Sequence, residues 1–276
     1  MAKIIIFLFN LIQKCRNDGV MERGAELTYR VLLAFFPFLI FLMAWVGFLQ
    51  LDESVIVQNL YEVLPGDVAD LVAGFLYELG LGRSRGLMST GLFFAVYNTT
   101  NGFRAVIRNA NRAYGVDDPR GIIKRVAISF ALMFLFTFTL LFMVGVLIFG
   151  GAIWDLLFPY MPGWVFWAIR SAGAVVVLIF STMIIYKWSC AVKLRMLQVL
   201  PGAVLTVVGW FAASGIFGFF ITNFTQYSAI YGSIAGVFIL ILWLNLICII
   251  LLMGNELNAL LKETFSNPSH IISKCI

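Results

Sequence analysis

With 62% of its 276 residues hydrophobic, 12% charged and a mean hydropathy of +0.97, the chain has too little polar side chain to clothe a soluble core of its size. Composition therefore excludes an ordinary water-soluble domain. It predicts an all-α integral membrane protein, because lipid offers no hydrogen-bond partners to the backbone and a helix bonds its own. The net charge of +5 is expected to belong to one membrane face and does not point to nucleic acid.

The chain opens MAKIIIFLFNLIQKCRN. Gln13, Lys14 and Arg16 stand where a signal peptide would carry small cleavage-site residues, so no cleavage is expected. Lys3, Asn10, Lys14 and Asn17 recur at helical steps among isoleucine, leucine and phenylalanine, which predicts an amphipathic interfacial helix within a cytoplasmic segment 1–30. A first apolar span follows at 31–49. Residues 50–86 are too many for a turn. Their helical apolar spacing, a break at Pro65-Gly66 and six carboxylates (Asp52, Glu53, Glu62, Asp67, Asp70 and Glu78) predict an external helical hairpin capping the bundle. A shorter span at 87–103 comes next, then spans at 126–151, 165–186, 199–221 and 234–254, each about the length that crosses a hydrocarbon core of roughly 30 Å. The connections AYGVDDPRG, FPYMPGW and KWSCAVKLRML are brief, so sequential spans are expected to be neighbours. The architecture read from the chain is thus one polytopic membrane helix bundle over 1–276 with six transmembrane helices. Small residues four apart, such as Ser214 with Gly218 and Gly232 with Gly236, read as helix-packing positions.

Placing the N-terminus inside puts all nineteen Lys and Arg residues except Arg83, Arg85 and Arg170 on the cytoplasmic side. The positive-inside rule therefore predicts cytoplasmic N- and C-termini in a bacterial plasma (inner) membrane. Arg170, a few residues into the fourth span, is expected to snorkel outward or to meet a carboxylate such as Asp155. Cys15, Cys190, Cys248 and Cys275 have neither metal-ligand spacing nor an oxidising compartment, and no disulfide is expected.

Few polar residues lie at membrane depth once the apolar bulk is set aside. Asn98, Thr99, Thr100 and Asn101 stand near the inner half of the second span, followed by Arg104. Arg104, Arg108 and Arg112 then repeat every four residues, which stacks them on one face of a helix leaving the membrane. Glu26 and Arg30 lie at the mouth of the first span, Lys187 at the end of the fourth, and Asn255, Glu256 and Asn258 at the end of the sixth. In their plainest role the basic residues are topology anchors, and that reading is preferred for Arg112, Arg120, Lys124 and Arg125. The sharper reading makes Asn98, Asn101, Arg104, Arg108, Lys187, Glu26 and Glu256 a polar vestibule in which guanidinium groups grip an anionic headgroup.

The runs GAELTYRVLLAFFPFLIFLMAWVGFL, GFRAVIRNANRAYGV and LPGAVLTVVGW, with NFTQYSAIYGSIAGVFILILWLNLICIILLMGNELNA, resemble the YihY/BrkB family of bacterial inner-membrane proteins over most of the chain. The last of them is the most specific. Tyr29-Arg30, Asn109-Ala110-Asn111 and Asn255 depart from the family pattern. The resemblance implies a six-helix plasma-membrane protein. It also brings an association with serum resistance, an older tRNA-processing ribonuclease name regarded as a misassignment, and more recent proposals of lipid movement.

Three functions compete. A ribonuclease needs clustered carboxylates for metal or a general base. His270 is the one histidine and lies in a polar tail. The inner-face carboxylates are scattered, and Asp117-Asp118 before Pro119 reads as a helix stop. No enzyme, cofactor or metal is therefore expected. A transporter of lipid or another anionic amphiphile uses the polar residues the spans do not otherwise need, with membrane lipids, anionic phospholipid among them, as its partners. A non-catalytic scaffold or envelope-integrity protein would instead bind an envelope partner and leave the arginine stripe as anchoring.

Overall fold

The computed structural model describes residues 2–48, 61, 69–70, 73–74, 85–157, 163–223 and 233–266. Helix is the only regular structure among them. It comprises seven long helices: α1 (Ala2–Asn17), α2 (Val20–Phe48), α3 (Arg85–Ala113), α4 (Ile122–Leu157), α5 (Gly163–Ser189), α6 (Met196–Asn223) and α7 (Ser233–Ser266). Two breaks between helices are glycine turns. Gly19 (φ 63°) parts α1 from α2. Gly115 (φ 61°) ends α3, where its N–H bonds Arg112 O at 2.9 Å and the N–H of Val116 reaches back to Asn111 O at 3.1 Å. That double closure on a left-handed residue is the Schellman stop.

Among the described residues four helices are long and apolar enough to cross a membrane: Ile122–Met143, Val165–Ser189, Met196–Phe219 and Gly236–Thr264. Of the other two predicted spans, 87–103 falls within α3 and 31–49 lies in α2 up to Phe48, its last residue being outside the described ones; neither is among these four. The predicted external hairpin of 50–86 lies almost wholly outside the described residues. Within it, the Tyr61 hydroxyl bonds the Asp70 carboxylate.

Sequential helices are neighbours, as the short connections predict. α2 packs along α3, α3 meets α4, α4 meets α5, α5 meets α6 and α6 meets α7. α7 returns against α2, so α2 to α7 close a ring, and α1 lies against α2 and α7 at one end. Large apolar side chains face outward along the spans: Phe134, Phe138, Ile216, Phe219, Phe238 and Leu242 are all exposed. Outward leucine and phenylalanine would aggregate in water and are stable in lipid. Phe130, Phe134, Phe138 and Phe142 thus form an exposed ridge on α4, not the wall of an internal groove.

Where α5, α6 and α7 cross, the interior is held by polar contacts. The Tyr186 hydroxyl pairs with Thr206 Oγ1 and donates to Leu251 O at 2.7 Å. Asn258 accepts the N–H of Gly202 at 2.7 Å and donates to Val199 O at 3.2 Å. Trp210 Nε1 donates to Ile247 O at 3.0 Å. Such bonds replace the hydrophobic drive that helices lack when their alternative is lipid. Arg170, half-buried on α5, places its guanidinium 5.0 Å from the Trp167 ring and 5.8 Å from Phe166, a cation–π contact within its own helix. The side chain of Asp155 lies outside the described residues.

Candidate functional site

Past residue 103, α3 becomes amphipathic. Ala105, Val106, Ile107, Ala110 and Ala113 are buried, while Arg104, Arg108 and Arg112 are exposed on the opposite face. The four-residue period that stacks the arginines is the helical repeat itself. Because the Gly115 turn folds α4 back beside this face, Arg125 joins the three arginines of α3 around a cleft of about 720 Å³. Asp117 and Asp118 sit at its turn end.

The arginines differ in what already holds them. Arg108 Nη2 lies 2.8 Å from Glu26 Oε1, an oxygen that also takes Arg30 Nη2 at 2.9 Å. Partial burial would raise the Glu26 carboxyl, but the Arg30 hydrogen bond and the Arg108 charge outweigh it and hold the group below its ordinary value. Arg104, Arg112 and Arg125 make no salt bridge among the described residues. The cleft therefore presents three guanidinium groups whose donors are open to an anion, and a fourth shared with Glu26.

Its end is fastened by groups the sequence reading treats as a helix stop and an anchor. Arg120 bonds both oxygens of Asp118, at 2.7 Å through Nε and 2.9 Å through Nη2, and also donates to Trp188 O at 3.0 Å and Ser189 O at 2.8 Å. Asn111, buried on α3, accepts the N–H of Ala191 at 2.6 Å and donates to Ile107 O at 2.9 Å. Together they tie the α3–α4 turn to the last carbonyls of α5. Burial works to raise the Asp118 carboxyl, and the Arg120 side-chain and backbone hydrogen bonds override it, so its folded value is depressed. A depressed carboxyl contributes stability at neutral pH. That contribution fades as pH falls below the ordinary Asp value of about 3.9 toward the folded one. The α3–α5 junction is expected to lose amide hydrogen-exchange protection below about pH 4. Asp118→Ala should remove the same protection at neutral pH, at a cost of about 2 kcal/mol.

The structure brings only some of the predicted vestibule together. Glu26 meets Arg108 directly, and Arg104 lines the same cleft. Asn98 is half-buried and donates to Phe94 O of its own helix at 3.0 Å. Its neighbour Thr100 is the one turned to the interior, bonding Met133 Sδ at 3.8 Å. Asn101 and Lys187 are half-buried and make no hydrogen bond or salt bridge among the described residues. Glu256 does not line the arginine cleft; it is buried and faces Lys14 of α1, with Oε2 3.9 Å from Nζ. Lys14 also meets Glu263 at 3.0 Å and Asp18 at 3.7 Å. The carboxylates outweigh burial and raise its ammonium above the ordinary lysine value. Burial, then the Glu256 and Asp18 charges, push the adjacent Cys15 thiol up to about 11, which leaves it protonated and inert at neutral pH. Cys15, Cys190 and Cys248 are free. Among the described residues no three His, Cys, Asp or Glu side chains gather as a metal site.

A chain whose described residues are helical, with four apolar membrane-length helices among them and outward-facing phenylalanines, is an integral membrane protein. It belongs to the virulence factor BrkB family, whose description matches residues 11–271. It is 32% identical over 273 residues to the ribonuclease-like protein YfkH of Bacillus subtilis, covering 96% of this chain and 99% of that one. It is also 26% identical over 268 residues to the UPF0761 membrane protein NMB0524 of Neisseria meningitidis serogroup B, and 24% over 254 residues to the UPF0761 membrane protein AZOSEA40600 of Aromatoleum aromaticum. Those matches cover 94% and 88% of this chain but 64% and 60% of the relatives, so the chain spans under two thirds of the UPF0761 proteins' length. No solved structure matches it.

Proposed function

We propose that the protein is a six-span plasma-membrane protein with cytoplasmic termini that moves lipid or another anionic amphiphile across or out of the membrane. In this reading the headgroup is first held in the arginine cleft. The observation that carries it is the cleft itself: Arg104, Arg112 and Arg125 converge on one opening without salt-bridge partners among the described residues. Guanidinium forks suit phosphate oxygens better than a lysine ammonium does. Asn101 lies one helical turn before Arg104, and Asn98 one turn before that, a polar path leading up α3 from the cleft into the span. Lys187 adds charge at the same end. Exposed Ile6, Phe9 and Ile12 on α1, with basic residues in its last turn, support an inner-interface position for that helix. The test is reconstitution. Proteoliposomes of the purified protein should move a labelled anionic phospholipid between leaflets faster than empty liposomes, and equal rates would favour a scaffold.

The name of the Bacillus relative supports a second reading in which the same arginines grip an RNA phosphodiester. Hydrolysis would then need a general base supplied beside them, for which Asp117 is the carboxylate at the cleft without a salt bridge among the described residues. Cleavage of a labelled RNA by purified protein, abolished in Asp117→Asn, would establish that reading in place of transport.

A further inference from the structure

Lys14 fastens α1 to the rest of the protein through three carboxylates, and these differ in their surroundings. Glu263 is exposed and Asp18 partly so, whereas Glu256 is only 3% exposed and its Oε2 has no hydrogen-bond partner among the described residues. An orphaned acceptor in a packed interior calls for an occupant. Here the ammonium of Lys14 stops at 3.9 Å, close enough to balance charge but beyond hydrogen-bond reach. Two events would fill the gap: Lys14 closing the last ångström, or a proton on the oxygen.

Asp18 sits against Glu256 as well as against Lys14, Cys15 lies beside Lys14 on α1, Arg23 comes near from α2 with Arg112 of α3 beyond it, and Tyr114, with Lys262 over its ring, comes near from the end of α3. α6, the helix most closely packed on α7, carries no ionisable side chain. Ionisable residues so placed at the end of an apolar span are typical of proton relays. Among the described side chains of α1, Leu11 is buried, Cys15 is partly buried against the core and Lys14 makes the ion pairs, while Ile6, Phe9 and Ile12 face out.

We propose that Glu256 is a proton-binding site covered by α1. With α1 docked, the carboxylate is paired with Lys14. A proton taken from the adjoining aqueous phase onto Oε2 makes it a donor to the neighbouring Asp18 carboxylate, raises the charge of the cluster by one, and leaves Lys14 chiefly to Glu263, which loosens α1 from α7. This goes beyond the transport reading and does not rest on it: the readouts below need no lipid movement, so either idea can fail alone.

Infrared difference spectroscopy of the full chain in phosphatidylcholine nanodiscs tests it, over the range in which buried carboxyls titrate, up to about pH 9. The expected result is a protonated-carboxyl band that is lost in Glu256→Gln and retained in Asp18→Asn and Glu263→Gln. Lys14→Met removes the adjacent positive charge and should move the band's midpoint toward higher pH by about one unit or more. Hydrogen exchange of α1 amides, corrected for the intrinsic effect of pH, should quicken as the band appears and be insensitive to pH in Glu256→Gln. A band that survives Glu256→Gln overturns the proposal, as does α1 exchange that ignores the titration. If Glu256→Gln does not accumulate, the Asp18→Asn/Glu263→Gln protein keeps Glu256 as the sole carboxyl on Lys14. A band unmoved there by Lys14→Met overturns it equally.

Discussion

Alanine at Gly254 is expected to lower the thermal unfolding midpoint of the detergent-solubilised protein by roughly 6–12 °C, which corresponds to a loss of about 3 kcal/mol. A methyl group there would overlap Thr206 Oγ1 and press on the Tyr186 hydroxyl and on Gly202 O of the facing helix. None of these can step aside. Thr206 and Tyr186 are bonded to each other, Tyr186 is bonded to Leu251 O, and Gly202 is backbone whose own N–H is held by Asn258. α6 and α7 must separate instead, and each buried polar group that loses its partner adds a penalty of about 1–3 kcal/mol. Gly202→Ala should behave alike, since its methyl would meet Gly254 O and the Asn258 amide. Gly218→Ala supplies the contrast, because nothing lies within 4 Å of a methyl at that position. There the better helix propensity of alanine should leave the midpoint unchanged or slightly higher. Size-exclusion profiles after heating, run for the three variants together, measure the difference.

That contrast also marks what the sequence conveys and what it hides. The helical class and the order of neighbours are legible because lipid leaves one backbone solution and short connections leave few topologies. The arginine stripe is legible for the same reason: a four-residue period maps onto one helix face. Close helix crossings are another matter. Ser214 and Gly218 have the spacing of a packing motif, yet among the described glycines the closest approach pairs Gly202 with Gly254, which are fifty-two residues apart. Only the relative rotation of α6 and α7 brings them together, and no local pattern encodes that. Arg125 and Arg120 illustrate a related blindness. Read singly they are anchors that the positive-inside rule explains. The fold adds a turn that swings α4 beside α3, and this makes one a wall of the cleft and the other its fastening to α5. Asn98 fails differently, because polarity at membrane depth says nothing of which way a side chain turns, and this one bonds its own helix. Depth alone groups Glu256 with the arginines. At the same depth it lies across the bundle end, under α1.

Removing Arg104, Arg112 and Arg125 together is expected to weaken retention of a photoreactive phosphatidic acid by roughly 100-fold, because each charge near a membrane surface is worth about 1 kcal/mol toward an anionic lipid. All three are partly or fully exposed and make no salt bridge among the described residues. The triple alanine protein should therefore fold normally, which an unchanged unfolding midpoint would verify. Triple lysine substitution separates charge from geometry. If the cleft merely attracts anions, lysine restores labelling; if guanidinium forks clasp phosphate oxygens in pairs, labelling stays low. Raising salt should erase a surface attraction more readily than a clasped headgroup. Arg108 needs its own variant, since Glu26, which also holds Arg30, already occupies it. Arg108→Ala alone should cost less than Arg104→Ala, and Glu26→Gln, which frees Arg108, should increase labelling. Loss of phosphatidic acid labelling in Glu26→Gln would show that the carboxylate orients Arg108 for binding instead of competing for it. Labelling indifferent to all of these changes would remove the cleft from any account of lipid handling and return the stripe to the positive-inside rule.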